Sequence, residues 1–519
     1  MNDLERDLSA RSVPTLTPRI LTARNLKQPK GLGVLFFAEL WERFSYYGMR
    51  AILVLFMVEP KASGGLGLGI AEAAVIYGNY TMAVYMLSIP GGYLADAKLG
   101  ARRAVLLGGA LIAAGHFALA IPLSMPRATT FYAGLLLIGL GTGLFKPNIS
   151  ALVGGLYGEG DTRRDAGFSI FYMGINIGGF IAPLATGFLS QSEVVRAGLA
   201  YRGLDPGLSW HLGFAAAGFG MLLGLGLLAS KRHHLGDTLS GGALAERGSA
   251  PPVIESAGAK ALAVAAGTLA IMALVMLSDR PGFEWLRWGF LIVPVASALW
   301  LSRREGLEAR RLAAVFVLFA AAMIFFAVFE QAGVTIALFA DQLTRAEVLG
   351  YAFPSAWFQS LNSLFVILLA PLFASAWTRL GERQPSSPVK FALGLAFLGS
   401  SFLLMVPAAE LSAEGRVSPF WLVGLFFLQT VGELLLSPVG LSTMTKLAPA
   451  RAVGLVLGIW FLAAALGNKL AGVLGSGFTA TDAAGLSHYF LWQAASLGLA
   501  TLVLLALSPW VKRLMGGVT

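Results

Sequence analysis

Glu39-Leu40-Trp41-Glu42-Arg43-Phe44-Ser45-Tyr46-Tyr47-Gly48-Met49-Arg50 decides how this chain is read. Residues 39, 42, 43, 46, 47 and 50 recur at the three-to-four spacing that stacks side chains along one side of a helix, and Leu40, Trp41, Phe44 and Ala51 take the opposite side. An ionised side chain at the bilayer centre costs about 2.5–3.5 kcal/mol on insertion scales, so several on one apolar helix need partners, protons or water. Such a stripe is expected to line a pathway.

The composition fixes the class. Of 519 residues, 56% are apolar and 13% charged, and the mean hydropathy is +0.72, which places most of the chain in lipid. There is no cysteine, which removes disulfide frameworks and thiolate metal sites. A net charge of +10 does not point to nucleic acid here, because the basic residues are scattered through short connectors between long apolar runs, as the positive-inside rule requires. Residues 1–30 are polar, contain Arg6, Arg11, Arg19, Arg24, Lys27 and Lys30 and lack a cleavable signal pattern, so they read as a cytoplasmic tail.

Crossing about 30 Å of hydrocarbon takes roughly 20 helical residues. Fourteen runs qualify: 33–58, 72–95, 101–124, 129–152, 166–190, 209–229, 258–278, 284–302, 311–340, 352–376, 389–409, 417–447, 452–476 and 486–508. Connectors with Lys98/Arg102/Arg103, Arg163/Arg164, Lys231/Arg232, Arg303/Arg304, Arg379/Arg383 and Lys446/Arg451, and the end with Lys512/Arg513, fall on the side of the N-terminus, so both termini are expected in the cytoplasm. Residues 233–257, rich in Gly, Ser and Pro, read as a cytoplasmic linker.

A weak internal repeat agrees with a division there. Pro90 to Gly100 and Pro371 to Gly381 share a Pro, a basic residue and a Leu-Gly ending at identical spacing. The economical architecture is an all-α polytopic membrane protein: an N-terminal tail (1–30), a six-helix bundle (31–232), the linker (233–257), two inserted helices (258–302), a second six-helix bundle (303–513) and a short tail (514–519). Repeat-built transporters place their substrate site near the midplane between such halves.

Further polar residues interrupt the apolar runs. Glu330 and Glu433 lie far from any run end, so a carboxylate there must be protonated, paired or wet, and a structural ion pair between helices is one way to satisfy it. Lys146 lies toward one end of its run, where its stem could also snorkel outward. Asn176, Asn362 and Asn468 are as suited to hydrogen-bonding neighbouring helices as to holding a ligand. Tyr46, Tyr47, Tyr85, Trp460 and Phe461 suit ordinary packing, and only the charges around them suggest a pocket.

Taken together, Glu39-x-x-Glu-Arg-Phe-x-Tyr-Tyr-Gly48, Gly91-Gly-x-Leu-Ala-Asp96, Phe145-Lys-Pro-Asn148, Phe168-Ser-Ile-Phe-Tyr-Met-Gly-Ile-Asn176, Phe329-Glu-Gln331, Glu433-Leu-Leu-Leu-Ser-Pro-Val-Gly440 and Trp460-Phe-Leu462 resemble the proton-dependent oligopeptide transporter family of the major facilitator superfamily. The matches run in family order from residue 39 to about 475. Two additional helices between the bundles are also a trait of its bacterial members.

The resemblance implies a major facilitator fold and import of di- and tripeptides with protons, by a multi-pass protein of the inner (plasma) membrane that works as a monomer. It implies no cofactor beyond the coupling proton, no metal and no enzymatic activity. By the same resemblance Arg50 and Lys146 would receive the peptide carboxylate, and Glu433, Asn176 and Asn362 its amino terminus. Tyr46, Tyr47, Tyr85, Trp460 and Phe461, with Ser437 beside them, would wall side-chain pockets. Glu39, Glu42, Arg43 and Glu330 would couple protons, and a Lys146–Glu433 salt bridge would gate the cytoplasmic side.

The chain departs from the family pattern in places. Ser363 follows Asn362 where proline is usual, Gly333-Val334-Thr335 replaces a small hydroxyl pair, and the second run has no histidine, so coupling must rest on carboxylates. The rival reading within transport is another anionic or amphoteric solute, such as nitrate or a glucosinolate. A membrane enzyme finds no support in the sequence: there is no His-Glu-x-x-His and no phosphate loop, and the five histidines are dispersed. A channel is disfavoured because buried charges of both signs are divided between two halves.

Overall fold

The structure, a computed structural model, describes residues 27–122, 129–158, 161–235, 254–449 and 453–518. The expected tail as far as residue 26, residues 236–253 of the expected linker, Arg451 and the final residue of the expected C-terminal tail lie outside the described residues.

Each apolar run read from the sequence overlaps helix among the described residues. The first half holds α1 (Lys30–Val58), α2 (Ile70–Leu94), α3 (Ala101–Ala120), α4 (Thr129–Gly155), α5 (Arg164–Gln191), α6 (Glu193–Tyr201) and α7 (Leu208–Ser230). A hairpin of α8 (Ile254–Leu277) and α9 (Leu286–Ser302) follows. The second half holds α10 (Leu307–Phe329), α11 (Thr335–Gln342), α12 (Ser360–Leu380), α13 (Ser387–Leu411), α14 (Phe420–Leu447), α15 (Val453–Gly475) and α16 (Ala483–Leu514). Between α11 and α12 lies a two-stranded antiparallel ribbon, Glu347–Val348 against Tyr351–Ala352.

Among the described residues, ten helical stretches are long and apolar enough to cross a membrane, and Leu262–Leu277 and Leu286–Ser302 are shorter apolar helices. At 29 and 25 residues α1 and α2 are also long enough to cross, but the ionic stripe makes α1 less apolar than those ten.

Two features were not legible as apolar runs. The run 311–340 is broken: α10 stops at Phe329, Glu330–Gly333 make a tight 3₁₀ turn, and α11 starts at Thr335. A Cβ at Gly333 would collide with the Tyr77 hydroxyl, so glycine there lets the turn close on α2. The short helix α6 is capped by Ser192, whose hydroxyl accepts from the Val194 amide at 3.2 Å.

The two stretches of the weak repeat share two local features. Pro90 lies within α2 and Pro371 within α12, and the glycines that close the two copies, Gly100 and Gly381, both take positive φ, 75° and 49°.

Small residues set how closely helices approach. In the first half α1 packs on α5 and α7, and α3 on α4 and α7; in the second half α13 packs on α14 and α16, and α10 on α15. A Cβ on Gly108 would lie 2.6 Å from the Gly141 carbonyl, so α3 and α4 meet backbone to backbone, as membrane helices do where small residues face each other. The halves meet where α2 packs on α15 and α5 on α12. The inserted hairpin leans on both halves, α8 against α2 and α9 against α10.

The connector before α5 anchors the start of α1. Arg163 donates to the Lys27 carbonyl at 2.8 Å, and Tyr157 to the Gln28 side chain at 2.8 Å. Hydrogen bonds from Arg163 also hold the Asp161 carboxyl down at about 2.

Candidate substrate cavity

The helical spacing of α1 delivers its polar stripe to two places. Glu39, Glu42 and Arg43 are buried at 3%, 0% and 5% exposure, and the Arg43 Nε lies 2.5 Å from Glu42 Oε2 and 3.1 Å from Glu39 Oε1. One guanidinium thus serves two carboxylates. Glu39 Oε2, Glu42 Oε1 and Arg43 Nη2 are buried and make no hydrogen bond among the described residues. The guanidinium faces the rings of Tyr46 and Tyr47 at 5.4 and 5.9 Å.

About two turns beyond Arg43, Arg50 reaches the other half. It donates to the Tyr77 hydroxyl of α2 and pairs with the Glu330 carboxylate in the 3₁₀ turn after α10. The break at 330–333 positions that carboxylate, and Gln359 holds the turn by donating to the Ala332 carbonyl at 2.5 Å.

Arg50 and Glu330 both line a cavity of about 740 Å³ between the halves. Its walls also contain Tyr47, Tyr85 and Lys146 from the first half and Asn362, Glu433, Ser437, Trp460 and Phe461 from the second. The two poles are dressed differently. Lys146 Nζ sits 4.0 Å from the centre of the Tyr85 ring, whereas Glu433 Oε2 accepts from Asn362 Nδ2 at 2.9 Å. Asn362 also reaches Thr430 Oγ1 at 3.1 Å.

Three expected placements are not found in this structure. The Lys146–Glu433 salt bridge is not formed: among the described residues these groups share no ion pair, and the charged contact between halves at the cavity is Arg50–Glu330. The cavity separates α4 from α14 at that level, which leaves each charge to a partner on its own side. Asn176 is not among the residues that line the cavity, and its Nδ2 donates to the Tyr172 carbonyl of its own helix at 3.1 Å. Tyr46 is likewise buried behind the wall, its ring edge-on to Tyr47 with centroids 5.5 Å apart. Glu39, Glu42 and Arg43 also stand outside the lining, behind Tyr47.

Other lining residues had escaped selection. Gln429 lies one turn before Glu433 on α14, a spacing that could have flagged it. Tyr172, Gln359, Ser363, Phe326 and Phe329 also line the wall, of which Tyr172 and Phe329 belong to the motifs and Ser363 to the departures from the pattern.

The cavity is closed at one end and continues at the other. At the closed end Gln191 of α5 donates to Ser355 Oγ at 2.9 Å and Asp341 Oδ1 at 3.2 Å, Trp357 to the Leu184 carbonyl at 3.0 Å, and Ser360 to the Phe180 carbonyl at 2.7 Å. Toward the other end the lining follows α14 from Gln429 to Thr445, about 24 Å at 1.5 Å per residue. A second cavity of about 860 Å³ shares Tyr172, Pro438 and Ser442 with the first and reaches Lys390, Lys446 and Lys512. The opening therefore faces the basic connectors.

The POT family pattern matches residues 102–490. The chain is 39% identical to the peptide transporter YePEPT of Yersinia enterocolitica subsp. palearctica serotype O:3 (strain YE-P4), covering 94% of this chain and 95% of that one. It is 37% identical to a di-/tripeptide transporter of Lactococcus lactis subsp. cremoris, covering 95% and 97%. Among solved structures, a peptide transporter POT in complex with sulfate superimposes with a TM-score of 0.80 at 42% identity, over 94% of this chain and 96% of that one. A POT family transporter in complex with a thioalcohol-conjugated peptide gives 0.75 at 31% identity, over 93% and 97%.

Proposed function

The chain belongs to the POT family, and we infer that it imports di- and tripeptides together with protons, by exposing one cavity alternately to the two sides of the membrane. The observation that carries this reading is the placement of Arg50 and Lys146 on one wall of a single cavity and Glu433 on the opposite wall. A free peptide has a carboxylate at one end and an ammonium at the other whatever its side chains. Charge-assisted hydrogen bonds at the two poles would fix those ends, and the Tyr, Trp and Phe walls would tolerate varied residues between. A volume of about 740 Å³ suits a ligand of that size.

Coupling would follow from competition. Arg50 is engaged by Glu330, so a peptide carboxylate must displace that partner. A proton on Glu330 releases Arg50, which ties substrate binding to proton uptake. Glu39, Glu42 and Arg43, buried behind Tyr47, would form a second proton-sensitive group on α1. Asn176 and Tyr46 would support the wall from behind, and Lys146 would meet Glu433 only when the opening closes. One proton moving down 100 mV releases about 2.3 kcal/mol, enough for a roughly fifty-fold peptide gradient.

In this reading all fourteen runs cross the membrane, both termini are cytoplasmic, and residues 31–232 and 303–513 are the moving bundles on either side of the inserted pair 258–302. The protein is a monomeric secondary transporter of the inner membrane, not an enzyme, and needs no cofactor. The decisive experiment is uptake of labelled dialanine by proteoliposomes. Accumulation only under an inward proton gradient, blocked by excess unlabelled dipeptide, is the expected result. Equal uptake with and without the gradient would remove coupling; saturable transport of nitrate with none of dialanine would replace the substrate.

A further inference from the structure

A buried charge cluster away from the cavity joins the inserted hairpin to both halves. Asp279 lies just after α8, in the turn to α9. Its Oδ2 accepts from Asn79 Nδ2 of α2 at 3.0 Å and pairs with Lys469 Nζ of α15. Lys469 also donates to Asn79 Oδ1 at 2.6 Å, which closes a three-membered ring, and Arg287 Nη2 of α9 stands 3.5 Å from Asp279 Oδ1. The lysine side chain is 1% exposed. Neither Asp279 nor Lys469 lines the central cavity.

The ring sits beside the tightest crossing between the halves. A Cβ on Gly78 would lie 2.9 Å from the Gly472 Cα, so α2 and α15 touch along their backbones one residue before Asn79 and three after Lys469. Gly78 is near the start of α2, and Gly472 is near the end of α15. On the orientation proposed above, both ends face outside, as does the turn holding Asp279.

We propose that the α8–α9 turn is a latch: Asp279, through Lys469 and Asn79, holds the α2–α15 seam shut on the outer side and biases the carrier toward its inward-open state. Opening outward draws α2 from α15. Asn79 must then leave Lys469, and Asp279 can follow only one of them. A buried lysine that loses its carboxylate is a stranded charge, so the seam resists parting while the ring is intact. Asp279 and Lys469 are positioning residues that act on the equilibrium between states, and the inserted helices hold the carboxylate in place. The proposal rests on the alternating-access reading.

The absence of cysteine simplifies the test. Ala71→Cys at the start of α2 and Thr481→Cys beyond α15, both exposed, carry spin labels across the seam, and pulsed electron paramagnetic resonance reads their separation in liposomes. Asp279→Asn is expected to raise the long-distance population about tenfold, the factor a single charge-assisted hydrogen bond can supply. Asn79→Ala, which leaves the ion pair in place, should move the distribution the same way by less. Asp279→Lys combined with Lys469→Asp should restore the parent distribution, while each single reversal does not. Dialanine turnover should change by more than about threefold, and the KM on the outer side should fall as the outward-open population rises, because the ring acts on the equilibrium between states and does not touch substrate.

The latch is refuted if Asp279→Asn and Asn79→Ala both leave the distances of the folded protein unchanged, or if the double reversal does no better than the singles. Failure of the parent protein to transport dialanine would overturn the transport reading alone, since the distances decide the latch without substrate.

Discussion

Replacing Glu330 by glutamine tests the exchange at the heart of the cavity. Arg50 and Glu330 are 14% and 5% exposed, so their pairing is only weakly screened. Glutamine keeps the shape and an acceptor oxygen but removes the charge, much as a bound proton would. In the parent a peptide carboxylate must displace Glu330 from Arg50. A hydrogen bond to a charged group is worth about 1.5–3 kcal/mol, so removing the competitor could tighten peptide binding by roughly ten- to a hundredfold. The loss of the Arg50–Glu330 attraction is buffered, because Tyr77 still accepts from Arg50. That places the expected gain at the lower end, about tenfold. Calorimetric titration with dialanine reads it directly: the variant should bind more tightly than the parent. In proteoliposomes the same variant should exchange labelled for unlabelled peptide yet fail to accumulate it under a proton gradient. A Glu330→Gln protein that concentrates dialanine as the parent does would refute the coupling role.

Other substitutions separate the poles. Glu433→Gln should weaken dialanine binding by about thirtyfold, the value of roughly 2 kcal/mol for a charge-assisted contact, and abolish the preference for a free over an acetylated amino terminus in competition assays. Lys146→Ala should cost about tenfold in affinity for free peptides and almost nothing for peptides with an amidated carboxyl end. Glu42→Gln should reduce gradient-driven accumulation in proteoliposomes while equilibrium binding persists, since Glu42 is buried behind the cavity wall. Gly78→Leu should destabilise the protein by about 1–3 kcal/mol in a thermal-shift assay, because the added side chain has no room against the Gly472 backbone.

Charge was the most readable feature of the sequence, because charge in lipid is costly and needs a reason. That argument selected the α1 stripe, Lys146, Glu330 and Glu433, and the last three line the cavity with Arg50. It also identified apolar runs that fall on helices. It could not pair the charges. Arg50 and Glu330 are 280 residues apart, and their meeting depends on a helix break that an unbroken apolar profile conceals. Asn176 illustrates the opposite case: a buried amide that donates to its own helix looks the same in sequence as one that faces a ligand. Gln359 and Gln429 were passed over because neutral amides in apolar runs carry little cost signal. Asp279 escaped for another reason, since an aspartate in a polar turn reads as solvated until Lys469 is seen to cover it.

The Arg50–Glu330 pair between the halves and the Asp279–Lys469 pair between the hairpin and the second half differ in what can reach them, and that difference assigns their work. Arg50–Glu330 faces the cavity, so both a peptide carboxylate and a proton can compete for its members. Asp279–Lys469 is outside the cavity lining, and no substrate group can exchange with it. A ligand shifts a conformational equilibrium only by its differential affinity for the two states, so of these two pairs only the first can carry an effect of substrate or of a proton arriving through the cavity. The second pair then adds a constant bias that is the same with or without cargo. Weakening Asp279–Lys469 should therefore change the loaded and empty carriers alike, and leave the ratio between peptide-bound and peptide-free outward populations nearly unchanged. Glu330→Gln should alter that ratio itself. Recording the Ala71→Cys/Thr481→Cys distances with and without saturating dialanine in both backgrounds distinguishes the two, and a changed ratio in Asp279→Asn would mean that the seam takes part in coupling.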